Sequence, residues 1–174
     1  MVAILFTYLL SLVVFSCSSI DCPVQNTVSV QYEIRDKTGA SLAITDSLSV
    51  ISTRRDGKDI LLNFTTRVDD QKIILNKLVD ESAFSLPISY SHPEDVMVFQ
   101  FNIANTDSLV KDTVWVKKED HPHFESVDCN TTYFHTLTDV KCTRHYLDSI
   151  VLNNPSVTYD SQTVHFYLYP KSND

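Results

Sequence analysis

Val28-Ser29-Val30-Gln31-Tyr32-Glu33-Ile34 carries an apolar side chain at every even position, and the tail of Val96-Met97-Val98-Phe99-Gln100-Phe101-Asn102-Ile103 alternates in the same way. A period of two sets one row of side chains against a core and the other in water, which is the pattern of a half-buried strand. Outward from these two runs the chain repeats the pattern. Short segments rich in Val, Ile, Thr, Tyr and Phe predict strands over 28–35, 47–54, 60–66, 72–76, 84–90, 95–102, 109–117, 124–128, 146–152 and 163–169. The breaks between them hold turn formers: Asp36-Lys37-Thr38-Gly39, Arg55-Asp56-Gly57-Lys58, Ser91-His92-Pro93-Glu94-Asp95 and Asn153-Asn154-Pro155. Asp56-Gly57 between two strand-like runs is the strongest hairpin signal. No long helical period competes. The expected fold is all-β, an antiparallel β-sandwich of immunoglobulin-like type, formed by a single domain over 27–174.

Composition bounds what such a domain does. The 174 residues include 43% hydrophobic and 21% charged side chains, enough for one core. Lys plus Arg is 14 against 22 for Asp plus Glu, a net charge of −8 with no basic patch, so nucleic acid is not an expected partner. Glycine occurs only at Gly39 and Gly57, which leaves no material for a glycine-rich phosphate loop or a nucleophile elbow. No cofactor is expected.

Residues 1–16, MVAILFTYLLSLVVFS, are uncharged and apolar apart from Thr7, Tyr8, Ser11 and Ser16. The run is short for a membrane span, which needs about 20 apolar residues, and suits the apolar region of a signal peptide. Such a signal ordinarily opens with Lys or Arg, whereas the first basic residue here is Arg35, so the translation start is expected upstream of Met1. The run ends in Val14-Phe15-Ser16-Cys17, similar to the lipobox of bacterial lipoproteins, in which the cysteine is acylated and becomes the new N-terminus. Cys17 is therefore the expected lipidation site and residues 17–26 a tether. Because each buried CH₂ contributes about 0.8 kcal/mol, two or three acyl chains hold a protein at a membrane without a spanning helix. Ser18-Ser19-Ile20-Asp21 lacks an acidic cluster of the surface-export kind, which favours the periplasmic face of the envelope over the cell surface.

With Cys17 assigned to lipid, Cys22, Cys129 and Cys142 remain, giving one pair and one spare. Cys129 with Cys142 is the local pairing, across a possible hairpin. Cys22 with Cys129 is preferred, because it closes a loop of about 108 residues, which limits the unfolded chain by roughly 4 to 5 kcal/mol and fastens the tether to the domain. Three reduced thiols are the alternative.

Five of the six histidines fall late, at His121, His123, His135, His145 and His165. His121 and His123 would share one face of a strand and are the weak candidates for metal ligands, although Pro122 between them is expected to spoil regular pairing and no CxxC or HExxH spacing is present. Asp outnumbers Glu by 17 to 5, yet Asp69-Asp70, Asp56 with Asp59, and Glu94-Asp95 do not fit a calcium loop. No spacing nominates a nucleophile with its base. A hydrolase would have to gather Glu125, Asp128 or His135 from loops. Four triplets, Asp46-Ser47-Leu48, Asp107-Ser108-Leu109, Asp112-Thr113-Val114 and Asp148-Ser149-Ile150, share the order Asp, hydroxyl residue, aliphatic. This is similar to the O-glycosylation acceptor of Bacteroidota-type exported proteins, at Ser47, Ser108, Thr113 and Ser149; the same order also suits a turn that ends just before a strand. Asn63-Phe64-Thr65 and Asn130-Thr131-Thr132 fit the N-glycan sequon but carry little weight without a eukaryotic secretory context.

Cys17-Ser-Ser-Ile-Asp-Cys22-Pro23, Phe84-Ser-Leu-Pro-Ile-Ser-Tyr90 with Pro93-Glu94-Asp95, Asp112-Thr-Val-Trp-Val116, Pro122-His-Phe-Glu-Ser-Val-Asp-Cys129 and Asp148-Ser-Ile-Val151 together resemble an uncharacterised family of Bacteroidota lipoproteins. The resemblance runs over most of the mature chain. It implies an envelope address, supports the pairing of Cys22 with Cys129, leaves Cys142 outside the pattern and supplies no active site. The expected function is that of a non-enzymatic, lipid-anchored envelope protein whose partners are the membrane and an envelope protein or glycan. The alternatives are a periplasmic metal-binding lipoprotein and a hydrolase.

Overall fold

The computed structural model describes residues 28–52, 67–68, 71–90, 92–106 and 108–171. Its regular elements are all strands: β1 (Ser29–Ile34), β2 (Ser47–Ser52), β3 (Arg67–Val68), β4 (Gln71–Leu78), β5 (Ala83–Pro87), β6 (Glu94–Asn102), β7 (Leu109–His123), β8 (Thr132–Cys142), β9 (Leu147–Leu152), β10 (Ser156–Val157) and β11 (Phe166–Pro170). They form two sheets, one of four strands in the order β5-β1-β11-β9 and one of seven in the order β10-β8-β7-β6-β2-β4-β3. The all-β sandwich expected from the strand pattern is therefore the fold. Among the described residues no helix is long and apolar enough to cross a membrane.

Alternation builds the core as the opening run predicts. Val30, Tyr32 and Ile34 of β1, Leu48 and Val50 of β2, Met97, Phe99 and Phe101 of β6, and Phe166 and Leu168 of β11 are buried, with half-buried residues between them. Tyr32 lies at its centre. Its ring stacks on Phe84 at 5.1 Å and on Phe166 at 5.2 Å within its own sheet, and meets Phe99 of the facing sheet edge-on at 6.1 Å. Such pairs add about 0.5 to 1.5 kcal/mol each beyond their burial. Gly39, at φ 86°, closes the turn after β1, where the Asp36 carboxylate accepts hydrogen bonds from the Thr38 and Ala40 amides; the Asp56-Gly57 hairpin lies outside the described residues.

Four expectations need correction. The sandwich is not wholly antiparallel: β1 and β11 pair in parallel, which the long path between the first and last strands permits without a helical crossover. β8 stands where no strand was expected. Residues 124–128, read as a strand, form the β7–β8 loop instead. And β7 runs through Pro122, which pairs with Tyr133 in the ladder. Proline is tolerated there because β6 pairs β7 only as far as Lys117, so the segment beyond has β8 on one side and no β6 on the other.

That last feature gives the domain its outline. Residues 118–123 and 132–137 form a hairpin that overhangs the end of β6 by six residues, about 20 Å of extended strand. This hairpin lies at the end of the sandwich where β1 begins, with its root still in the fold: Lys118, His135 and Leu137 are buried, Phe134 packs against the core, and β10 pairs with His135 and Thr136. Ser29 pairs with Pro87, and the connection from Pro87 into β6 docks at the hairpin's root through the Lys118 amide, which donates to the Pro93 carbonyl at 2.9 Å.

Candidate functional site

The β7–β8 hairpin brings His121, His123, Glu125, Asp128, Cys129 and His135 onto one element, which makes it the candidate site. Its inner face is the continuation of β7's core row, Asp112, Val114, Val116, Lys118 and Asp120, and the last two are charged. Asp120 Oδ1 accepts hydrogen bonds from Lys118 Nζ and from His135 Nδ1, both at 2.6 Å, and Lys118 Nζ also donates to the His92 carbonyl at 2.7 Å. The Lys118 side chain is fully buried, that of His135 is 1% exposed and that of Asp120 20%, so the carboxylate is the member that meets solvent. Burial holds the His135 imidazole below its ordinary value, against the opposing pull of the Asp120 hydrogen bond. The ring is thus neutral at neutral pH with its proton on Nδ1, an orientation that also suits a general base. Among the described residues, however, no hydroxyl or thiol is hydrogen-bonded to it. The cluster's evident work is to hold the 88–93 connection to the hairpin root.

On the outer face the hairpin's rows do not converge on a common point. His121 Nε2 is 3.0 Å from Thr136 Oγ1, whereas His123 Nε2 pairs with Glu125 Oε1 at 2.9 Å and its ring stacks on Phe134 at 4.2 Å. Tyr159, beyond β10, packs edge-on against Phe134 at 5.0 Å. The Thr132 and Tyr159 hydroxyls are buried without a hydrogen-bond partner among the described residues. His121 and His123 share a face, as their spacing predicts, but each is engaged separately, and among the described residues no three His, Cys, Asp or Glu side chains gather as a metal site. Glu125 and Asp128 are exposed in the loop.

His165 is structural. It is fully buried, with Nδ1 accepting the Gln31 amide at 2.9 Å and Nε2 donating to the Ser156 carbonyl at 3.1 Å, which fixes a neutral ring; burial lowers its proton affinity accordingly. At the opposite end of the sandwich Asp112 binds the turn after β8. Its carboxylate accepts from the Thr143 hydroxyl at 2.9 Å and from the amides of His145, Tyr146 and Leu147 at 2.7, 2.9 and 2.8 Å. Burial alone would raise this carboxyl, but the donors together outweigh it and hold it below the usual carboxylate range. Tyr146, carried by that turn, stacks on Phe101 at 3.8 Å and donates to Asp46 at 2.8 Å.

Asp112 and Asp46 both belong to the repeated Asp-hydroxyl-aliphatic triplets. Asp46 stands just before β2, as a turn ending should, but Asp112 and Asp148 lie inside β7 and β9, so the turn explanation does not cover all of them. Of the hydroxyls, Ser47, Thr113 and Ser149 are half-buried and Ser108 is exposed. Asp107 lies outside the described residues. Lys118 and Asp120 escaped the sequence reading, and Asp112 was singled out only as part of a triplet, although the phase of Val114 and Val116, extended in both directions, points all three inward.

Cys142 is a free thiol at the far end of β8, and Cys129 lies three residues before that strand begins. About 33 Å of extended strand separates the two ends of β8, far beyond the 4.4 to 6.8 Å that a disulfide spans between Cα atoms. The local pairing of Cys129 with Cys142 is therefore excluded. Cys129 is half-buried and is not free; Cys17 and Cys22 lie outside the described residues.

Residues 60–170 match a family described as a family of unknown function, DUF6452. The chain belongs to the DUF6452 family. The match takes in the candidate hairpin and β3 to β11, while β1 and β2 precede it. Yet β1 is an interior strand of the four-stranded sheet and β2 lies between β6 and β4, so the folding unit of this DUF6452 member is larger than the matched segment. No curated protein and no solved structure matches the chain.

Proposed function

We propose that this DUF6452 protein is a lipid-anchored lipoprotein of a Bacteroidota-type envelope, non-enzymatic, whose immunoglobulin-like sandwich stands on the periplasmic face and presents its loops to an envelope protein or glycan. Cys17 carries the lipid, and a Cys22–Cys129 disulfide fastens the tether to the β7–β8 hairpin. The observation that carries this reading is the hairpin's position. Cys129 sits in the loop of a hairpin that runs past β6 at the end of the sandwich where β1 begins, one residue after Val28. Cys22 is six residues before Val28, and six residues span about 20 Å when extended, comparable to the overhang. The free thiol of Cys142 is consistent with its being the spare. Among the hydroxyls of the repeated triplets, the exposure of Ser108 makes it the favoured site for an O-glycan.

Palmitate labelling of the full chain in its native envelope tests the anchor. Label is expected on the wild type and absent from Cys17→Ser, which should also retain residues 1–16. Undiminished label on Cys17→Ser would overturn the assignment.

A further inference from the structure

We propose that Phe124 and Val127, at the tip of the β7–β8 hairpin, contact the surface of a zwitterionic bilayer beside the lipid anchor, an inference that rests on the anchor proposed above. Phe124 is 66% and Val127 98% exposed, the two most exposed large apolar side chains among the described residues, and they stand three positions apart in one loop. Scattered single apolar residues on a surface need no explanation, but two at the tip of a protruding hairpin do. Behind them Tyr90, 43% exposed, stacks on Tyr133 at 5.0 Å, placing an amphipathic pair of the kind that settles at headgroup depth.

Position selects the bilayer as the occupant. Through the Cys22–Cys129 link the acylated Cys17 would be five residues, about 17 Å of extended chain, from the loop that holds Phe124 and Val127. The tip cannot then move far from the lipid surface. Charge selects the headgroup: with Asp120 neutralised by the buried Lys118, the stretch from Glu119 to Thr131 still carries Glu119, Glu125 and Asp128 and neither Lys nor Arg, so anionic lipid repels the tip.

The test uses the acylated full chain in phosphatidylcholine–phosphatidylethanolamine vesicles brominated at known acyl depth. Trp115 is the sole tryptophan and is replaced by Phe; Val127→Trp and, separately, Phe124→Trp then report the tip. Val127 is almost wholly exposed, so its variant has no packing to disturb. The expected result is a blue-shifted emission that loses most of its intensity to shallow bromines and resists aqueous iodide. If mass spectrometry shows the acyl group and the protein floats with vesicles while the emission stays water-like, the inference falls and the anchor stands. If the indole of the Val127→Trp variant is equally shielded in unacylated protein that also carries Cys17→Ser, a second copy or another protein covers the loop and the inference again falls. If no acyl group is found, the anchor itself fails and takes the inference with it.

Discussion

Replacing Asp112 by Ala removes a carboxylate that, together with the Thr113 amide and carbonyl, holds the β8–β9 turn to β7. The carboxylate is fully buried and collects the Thr143 hydroxyl and three successive amides, His145, Tyr146 and Leu147. A hydrogen bond to a charged group contributes about 1.5 to 3 kcal/mol, and a buried donor left without an acceptor costs about 1 to 3 kcal/mol. His145 is exposed, so water can replace its lost partner, whereas Leu147 is buried and Tyr146 half-buried. Counting those two in full gives a loss of about 4 kcal/mol for Asp112→Ala. In a domain of this size that is a fall in Tm of roughly 8 to 16 °C. Asp112→Asn keeps the volume and one acceptor oxygen but turns an NH₂ toward the amides, and should cost about 2 kcal/mol. The effect also has a pH signature. Because the folded carboxyl lies below its unfolded value of about 3.9, its stabilisation is complete above that pH and is lost as pH falls through the lower folded value. Urea denaturation of wild type and both variants at pH 7 and in acid should therefore show a gap that narrows with acid. A loss below 1 kcal/mol for Asp112→Ala at pH 7, or a gap indifferent to acid, would refute the reasoning.

Further outcomes follow from the same physics. His135 and His165 are both held neutral by burial, so their share of the stability is complete above the unfolded value of about 6.5 and is lost as pH falls through the lower folded values; each can add up to about 1.4 kcal/mol per pH unit to the slope. Urea midpoints that stay flat from pH 7.5 to 5 would contradict this. Lys118→Met breaks a buried pair but leaves Asp120 bonded to His135 and partly solvated, for a cost of about 3 kcal/mol that thermal denaturation should show. Tyr146→Phe keeps the stack on Phe101 and loses only the hydrogen bond to Asp46, so about 1 to 2 kcal/mol should go, read from the same melts. Cys142 should react slowly with a thiol reagent in folded protein and promptly on unfolding, since burial first and the Asp112 charge second push its thiol above the ordinary value.

Strands with one clean row of apolar residues are legible in the chain. β1, β2 and β6 fall where their alternation puts them, within a residue or two at each end. β8 was hidden because its buried row contains His135 beside Leu137, and because a register shift opposite Lys117 and Lys118 breaks the phase halfway along. Pro122 argued against pairing, and only the absence of β6 beside it, a fact of topology, makes it acceptable in the ladder. The candidate hairpin was half legible. Its histidines and Cys129 stood out as a late cluster, but the partners that define it, Lys118 and Asp120, lie on β7 and meet His135 only through a cross-strand register that composition does not reveal. That the His-rich hairpin lies at the end of the sandwich where β1 begins is again a property of sheet order.

The hairpin, the tether and the lipid form one account: a sandwich fastened by its overhanging loop to an acylated N-terminus. Mass spectrometry of the native protein, intact and after non-reducing digestion, tests it most directly. The account predicts a mature chain of 158 residues, the 174 less the first 16, beginning at an acylated Cys17, with a peptide that joins Cys22 to Cys129 and a single thiol at Cys142. An unmodified Cys17 with residues 1–16 still attached, or a disulfide that engages Cys142, would contradict it.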